Sequence, residues 1–238
     1  MKKYLIVLFI AVFSLSILAQ KKEQEKKPTQ TGQADAERLA KETFSAHGGE
    51  KLKKLNTLSI LGSVDVTASS FTLPATFATI FSGDKYRLEI NSQMVNFKQV
   101  FDGEQTFTSP QRGFNLPPVN RLGLPLLQHL GDEGYVVSAL LDKKTDGFRI
   151  TSPEGYYSDF YINKKTNQIK KYEAKYMVEG REVSTLVEID KFEDKDGVII
   201  PSKYAQRFEF GQMTVYAQFK AKEIKVNEEV ADKVFVLE

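Results

Sequence analysis

Thr57–Val66 reads Thr-Leu-Ser-Ile-Leu-Gly-Ser-Val-Asp-Val, and its period decides the fold. Leu58, Ile60, Val64 and Val66 fall on one side; Ser59, Ser63 and Asp65 fall on the other. A period of two residues is that of a half-buried β-strand. Gly62 sits on the apolar side and marks a bend or a close approach. The alternation continues through Phe71, Leu73, Ala75, Phe77 and Phe81. A Ser82-Gly83-Asp84 turn signal follows, then Tyr86, Leu88 and Ile90 alternating with Arg87 and Glu89. Val95, Phe97 and Phe101 lead into Asp102-Gly103, a pair that tolerates positive φ in a hairpin, and the run closes near Phe107. Strands joined by such short turns are antiparallel neighbours, because a parallel return needs a long crossover. One apolar face per strand means that one face must be covered.

The pattern recurs from Phe148 to about Val226. Phe160 and Ile162, Tyr172 and Ala174 and Tyr176, Val183 to Ile189, Tyr204 to Phe210, and Met213 to Ala221 each alternate. A short last strand is expected at Val234–Leu237. Between the halves lies Ser109–Asp146, irregular at first and then rich in leucine. Leu122, Leu124, Leu126, Leu127 and Leu130 cluster, and Val136, Val137, Leu140 and Leu141 have helical spacing. This Leu122–Leu141 insertion reads as helical: either a core helix capping the sheet or a movable lid over a cavity. Ahead of the sheet, Ala36, Leu39, Ala40 and Phe44 mark a helix over Ala34–His47, stopped by Gly48-Gly49, with a short second helix before Leu55. His47 reads as a helix-end histidine favoured by the helix dipole, and His129 as a packed helix residue. The expected class is α+β: a curved, unclosed antiparallel half-barrel of about ten strands with helices covering its concave face.

Met1–Gln20 reads as a secretory leader, with Lys2 and Lys3 ahead of an apolar stretch of about 15 residues, shorter than the roughly 20 needed to span a bilayer. Cleavage is expected near Ala19 or Gln20, and no cysteine follows for lipid attachment. Residues 21–33 are polar and low in apolar content, a flexible linker. Residues 34–238 are expected to form one domain of a periplasmic protein. The 238-residue chain carries a formal charge of +2, which falls to neutral once Lys2 and Lys3 are removed. A neutral chain argues against nucleic acid as a partner.

Catalytic chemistry has no visible seat. The sequence has two histidines, no cysteine, no nucleophile elbow, no metal-binding His-Glu-His helix and no phosphate loop. Glu188 and Asp190 share a strand face that reads as solvated. Asp190, Glu193, Asp194 and Asp196 offer only a weak calcium pattern. The expectation is a non-enzyme with no cofactor and no metal. What the chain holds in excess is aromatic side chains, 17 Phe and 10 Tyr, many of them on the apolar faces. A single curved sheet under one thin helical layer leaves part of its concave face as an apolar pocket.

The layout resembles the LolA/LolB-like superfamily of periplasmic lipoprotein carriers and receptors. The likeness rests on the helix ending at His47-Gly48-Gly49, the strand Leu58–Val66 and the segment Gly83-Asp84-Lys85-Tyr86-Arg87-Leu88-Glu89. It extends to Phe101-Asp102-Gly103, the stretch Phe192–Pro201, and Ile224-Lys225-Val226-Asn227 followed by Phe235. The Arg-Pro pair that the carriers often have ahead of the matching segment has no counterpart in Phe81-Ser82-Gly83-Asp84. The resemblance implies an unclosed barrel whose helix-lidded cavity binds acyl chains of lipoproteins. The candidate cavity residues are Leu58, Ile60, Val64, Phe71, Phe77, Phe81, Tyr86, Leu88, Val95, Phe97, Phe101, Leu126, Leu127, Leu130, Phe160 and Tyr172. Expected partners are acyl chains of lipoprotein or lipid, envelope proteins, and a membrane touched only transiently. The alternative is an envelope sensor or interaction module with the same fold and no transport role.

Overall fold

The computed structural model describes residues 30–68, 71–94, 96–109, 118–141, 146–178, 180–211 and 213–236. The expected leader, residues 21–29 of the expected linker, and Val95 lie outside the described residues. Helices α1 (Gln30–Ala46) and α2 (Glu50–Lys53) precede β1 (Thr57–Ala68), β2 (Phe71–Ser82), β3 (Lys85–Asn91), β4 (Asn96–Phe101) and β5 (Thr106–Ser109). A 3-10 turn, Val119–Arg121, and helix α3 (Gly123–Gln128) follow. Next come β6 (Val136–Ala139), β7 (Gly147–Thr151), β8 (Tyr157–Ile162), β9 (Ile169–Val178), β10 (Arg181–Lys195), β11 (Val198–Phe210) and β12 (Met213–Val226). A 3-10 turn at Asp232–Phe235 ends the described chain.

The twelve strands form one sheet in the order β5-β4-β3-β2-β1-β12-β11-β10-β9-β8-β7-β6, every pair antiparallel. The chain meanders outward from β1 to β5, crosses to the far edge, and meanders back from β6 until β12 joins β1. Registers keep the apolar positions on one face. Leu58 lies between Phe81 and Val226, Val64 between Ala75 and Phe219, and Val66 between Leu73 and Ala217. The other face carries cross-strand ion pairs, of which Arg149 to Asp159 is bidentate at 2.6 and 2.8 Å. Glu188 and Asp190 are on this polar side, Asp190 3.0 Å from Lys203. Gly62 marks the register shift between β1 and β12. A Cβ there would lie 2.1 Å from the Lys220 carbonyl oxygen and 2.7 Å from the Phe77 ring, so only glycine lets the strands approach.

The expected α+β layout, an unclosed antiparallel sheet with few helices, is the one the chain adopts, with twelve strands among the described residues for the expected ten or so. Its details differ in places. Part of the expected helical insertion is a strand: Val136–Ala139 pairs with β7, Val137 opposite Ile150. Two adjacent β-branched residues suit an edge strand better than a helix. The expected last strand is instead the 3-10 turn that buries Phe235, and Arg87 donates to the Val234 carbonyl at 2.6 Å. Helix α1 also begins at Gln30, ahead of the expected Ala34, where Gln33 donates to Glu37 and to the Val137 carbonyl, both at 2.8 Å.

His47 differs most from its sequence reading. It is fully buried at the end of α1. Its Nδ1 lies 2.9 Å from the Ile199 carbonyl oxygen, and its Nε2 accepts from the Ile169 N–H at 3.1 Å. The Phe192 ring meets it edge-on at 5.1 Å. These partners fix a neutral ring with the proton on Nδ1, which pins α1 to β9 and β11. A charge favoured by the helix dipole is not what the site selects: burial pushes the imidazole pKa below its ordinary 6.5. The neutral ring is favoured on folding, so its stabilisation is whole above pH 6.5 and declines as the pH falls below it, until the folded-state value is reached. Replacing His47 by Phe should flatten this limb. It should also cost about 2 kcal/mol near neutral pH, because the Ile169 N–H and the Ile199 carbonyl lose their partner. Urea denaturation across the acid limb measures both effects.

Candidate functional site

Two pieces of chain cover the inner face. Helix α1 packs against β6 and β7, with Ala36 and Ala40 buried where the backbone comes close. The segment from Val119 to Leu130 lies across the opening. Its leucines divide by face: Leu126 and Leu127 are fully buried, while Leu122 and Leu124 border open space. Between these covers remains a cavity of about 420 Å³, inside the range of roughly 300–1,000 Å³ usual for small-molecule sites.

One wall comes from β1 to β4: Leu58, Ile60, Val66, Leu73, Thr79, Phe81, Leu88, Ile90 and Phe97. The opposite wall comes from β9 to β12: Tyr172, Val187, Ile200, Pro201, Tyr204, Gln206, Phe208, Met213, Val215, Ala217 and Phe219. Val119, Leu122, Leu124 and Pro125 form the roof. Among the described residues no lining side chain is charged.

Of the candidate residues, Leu58, Ile60, Phe81, Leu88, Phe97 and Tyr172 line this cavity. Others on the same sheet face are consumed by packing. Val64 and Phe77 are buried, Phe77 edge-on to Phe219 at 5.0 Å. Phe160 is fully buried and stacked on Phe148 at 5.1 Å. Tyr86 is fully buried and stacked on Phe101 at 5.8 Å, and its hydroxyl accepts from Gln99 Nε2 at 2.8 Å. Leu126 and Leu127 belong to the core, and Leu130 packs against it. Phe71 stands at the tip of β2, 55% exposed. All of the β10–β12 wall is absent from the candidate set. Val215, Ala217 and Phe219 alternate as plainly as β1 does, but periodicity alone does not say that β12 is the strand beside β1.

The polar groups inside the cavity are few. Gln206 donates through Nε2 to Thr185 Oγ1 at 3.1 Å. Tyr204 stacks on Phe219 at 4.7 Å, and the tip of Tyr172 lies under the start of α3. Gly123, at φ +59°, makes room for it: a Cβ there would sit 2.6 Å from Tyr172 Cζ and 2.9 Å from its hydroxyl. Unlike Tyr86, neither Tyr172 nor Tyr204 finds a hydrogen-bond partner for its hydroxyl among the described residues. Burial pushes both phenols well above their ordinary range, so both stay protonated.

The roof is anchored on both arms of the half-barrel. Asn120 Nδ2 donates to the Asp84 carbonyl at 2.8 Å, and the Gly123 N–H donates to Ser158 Oγ at 3.1 Å. Gln128 donates to the Leu55 carbonyl at 2.6 Å. Lys53 donates to the Leu130 carbonyl at 3.1 Å and pairs with Asp132. Arg121 spans the arms, 2.9 Å from Asp84 in the β2–β3 turn and 3.3 Å from Glu154 in the β7–β8 turn. His129 stacks on Tyr135 at 4.8 Å and sits 2.9 Å from Asp132. Among the described residues no three His, Asp or Glu side chains cluster closely enough to hold a metal ion.

No family model and no curated protein matches the sequence. Three solved structures are similar to it in fold. A DUF1329 family protein from Desulfovibrio piger is 13% identical, with a TM-score of 0.46 over 88% of this chain and 98% of that one. A LolA superfamily protein from Nitrosomonas europaea is 11% identical, with a TM-score of 0.49 over 85% and 97%. A domain classed with outer membrane lipoprotein-sorting proteins, from Vibrio parahaemolyticus, is 10% identical, with a TM-score of 0.44 over 85% and 96%. At these identities the likeness is one of fold alone, and the chain's own cavity carries the functional reading.

Replacing Arg121 by Gln should cost about 1 kcal/mol of stability, since its partners are half exposed. It should also speed release of an acyl probe followed by stopped-flow fluorescence. An unchanged release rate would show that the roof does not gate the cavity.

Proposed function

We propose that the protein is a non-enzymatic periplasmic binding or carrier protein that holds acyl chains of lipids or lipid-modified proteins in this cavity. One observation carries the reading: a cavity of about 420 Å³ whose lining, among the described residues, contains no charged side chain and is almost wholly aliphatic and aromatic. Such a lining rewards hydrocarbon. Each buried methylene contributes about 0.8 kcal/mol, so a chain of ordinary length binds without any ionic contact. The expected leader and the neutral mature charge support an envelope setting. Both histidines are engaged in structural contacts, and Asp159, Glu173, Asp190 and Glu223 on the polar sheet face pair with lysine or arginine.

A sensor with the same cavity is the second reading. The roof favours it to this extent: the segment is held on both arms by Arg121, and the carriers' Arg-Pro pair has no match. The ligand would then alter the spacing of the two arms rather than travel with the protein.

Protein purified from a bacterial envelope should release lipid on denaturing mass spectrometry. Phe97→Glu should lose that lipid and stay folded, because Phe97 borders the cavity and has space around it. Phe77→Glu should fail to fold, because Phe77 is sealed between β1, β2 and Phe219. Lipid-free wild type that also fails to bind an acyl probe would overturn the proposal.

A further inference from the structure

The cavity contains two donors that its own protein does not use. Tyr172 and Tyr204 enter it from β9 and β11, and their hydroxyls have no partner among the described residues. Tyr172 and Gln206 both lie opposite Val187 of β10, and Tyr204 is two residues from Gln206 on β11. Gln206 gives an amide hydrogen to Thr185, and its carbonyl oxygen has no bonded donor among the described residues. Away from the cavity Gln99 satisfies the Tyr86 hydroxyl, and the Tyr176 hydroxyl is buried without a partner; those of Tyr172 and Tyr204 border the cavity instead. Phenylalanine at 172 and 204 would give the same apolar walls, so packing does not require the two oxygens.

Building on the acyl-binding reading, we propose that Tyr172 and Tyr204 form a polar subsite that donates hydrogen bonds to the neutral carbonyl oxygen of an acyl ester. The ester linkage is thereby drawn inside with the chain instead of resting at the mouth. Charge selects the ester over the free acid. Among the described residues no lysine, arginine or histidine lines the cavity, so a carboxylate would enter without a counter-charge from them. An ester carbonyl needs only a donor, and a protonated phenol supplies it.

Displacement of a fluorescent acyl probe by methyl dodecanoate, sodium dodecanoate and dodecane tests this. Wild type should bind the ester most tightly. The Tyr172→Phe/Tyr204→Phe variant should bind the ester about tenfold more weakly, with dodecane unchanged, and should melt no lower than wild type. Equal ester affinity in wild type and variant, or a preference of wild type for the carboxylate, overturns the subsite while the cavity stands. Failure of all three compounds in wild type overturns the acyl-binding reading and the subsite together. Didodecanoylglycerol and its cysteine thioether separate the sources. Both carry the ester and should lose affinity in the variant, and tighter binding of the thioether by wild type assigns the ester to a lipid-modified protein.

Discussion

The strand order imposes one crossing. Because β12 pairs with β1, the strands β5 and β6, which follow one another in the chain, stand at opposite edges of a twelve-stranded sheet. The described part of the connection between them, from Pro118 to Tyr135, forms a leucine-rich roof pinned to both arms, and the space beneath it is what the roof and α1 together leave unfilled. The helical cover is thin: α1 packs chiefly against β6 and β7, and α3 has six residues. The two edge strands are four residues each, so the unclosed sheet exposes little unpaired backbone for pairing with another chain.

Two kinds of polar group hold this arrangement. His47 joins α1 to β9 and β11 through backbone hydrogen bonds that need a neutral ring, which fixes where the helical cover begins. Arg121 joins the two arms through Asp84 and Glu154. The first tie is buried and insensitive to salt. The second has half-exposed carboxylates and is the weaker of the two. A structure fixed at its base and laced more loosely across its opening suits a site that admits a long apolar ligand.

The sheet was legible in the sequence because a two-residue period is a direct record of which face is buried. Leu58 to Val66, Tyr86 to Ile90 and Val183 to Ile189 announce their strands without help. Pairing across long separations leaves no such record, so the β10–β12 wall was missed although Val215, Ala217 and Phe219 alternate cleanly. Short apolar runs are ambiguous, and Val136–Ala139 reads as helix until its pairing with β7 is seen. The candidate cavity residues were chosen by face, and face does not separate cavity from core. Phe77 and Phe97 share one face and differ only in what stands above them. His47 was misjudged because its partners lie more than a hundred residues away.

The central claim is that the uncovered part of the inner face holds an acyl chain. Isotope-filtered nuclear magnetic resonance of the protein with ¹³C-labelled methyl dodecanoate tests it most directly. The account predicts intermolecular Overhauser contacts from the acyl methylenes to the methyl groups of Leu88, Val187 and Val215, which line opposite walls. Contacts confined to the exposed tips of the hairpins, with none to these three residues, would contradict it.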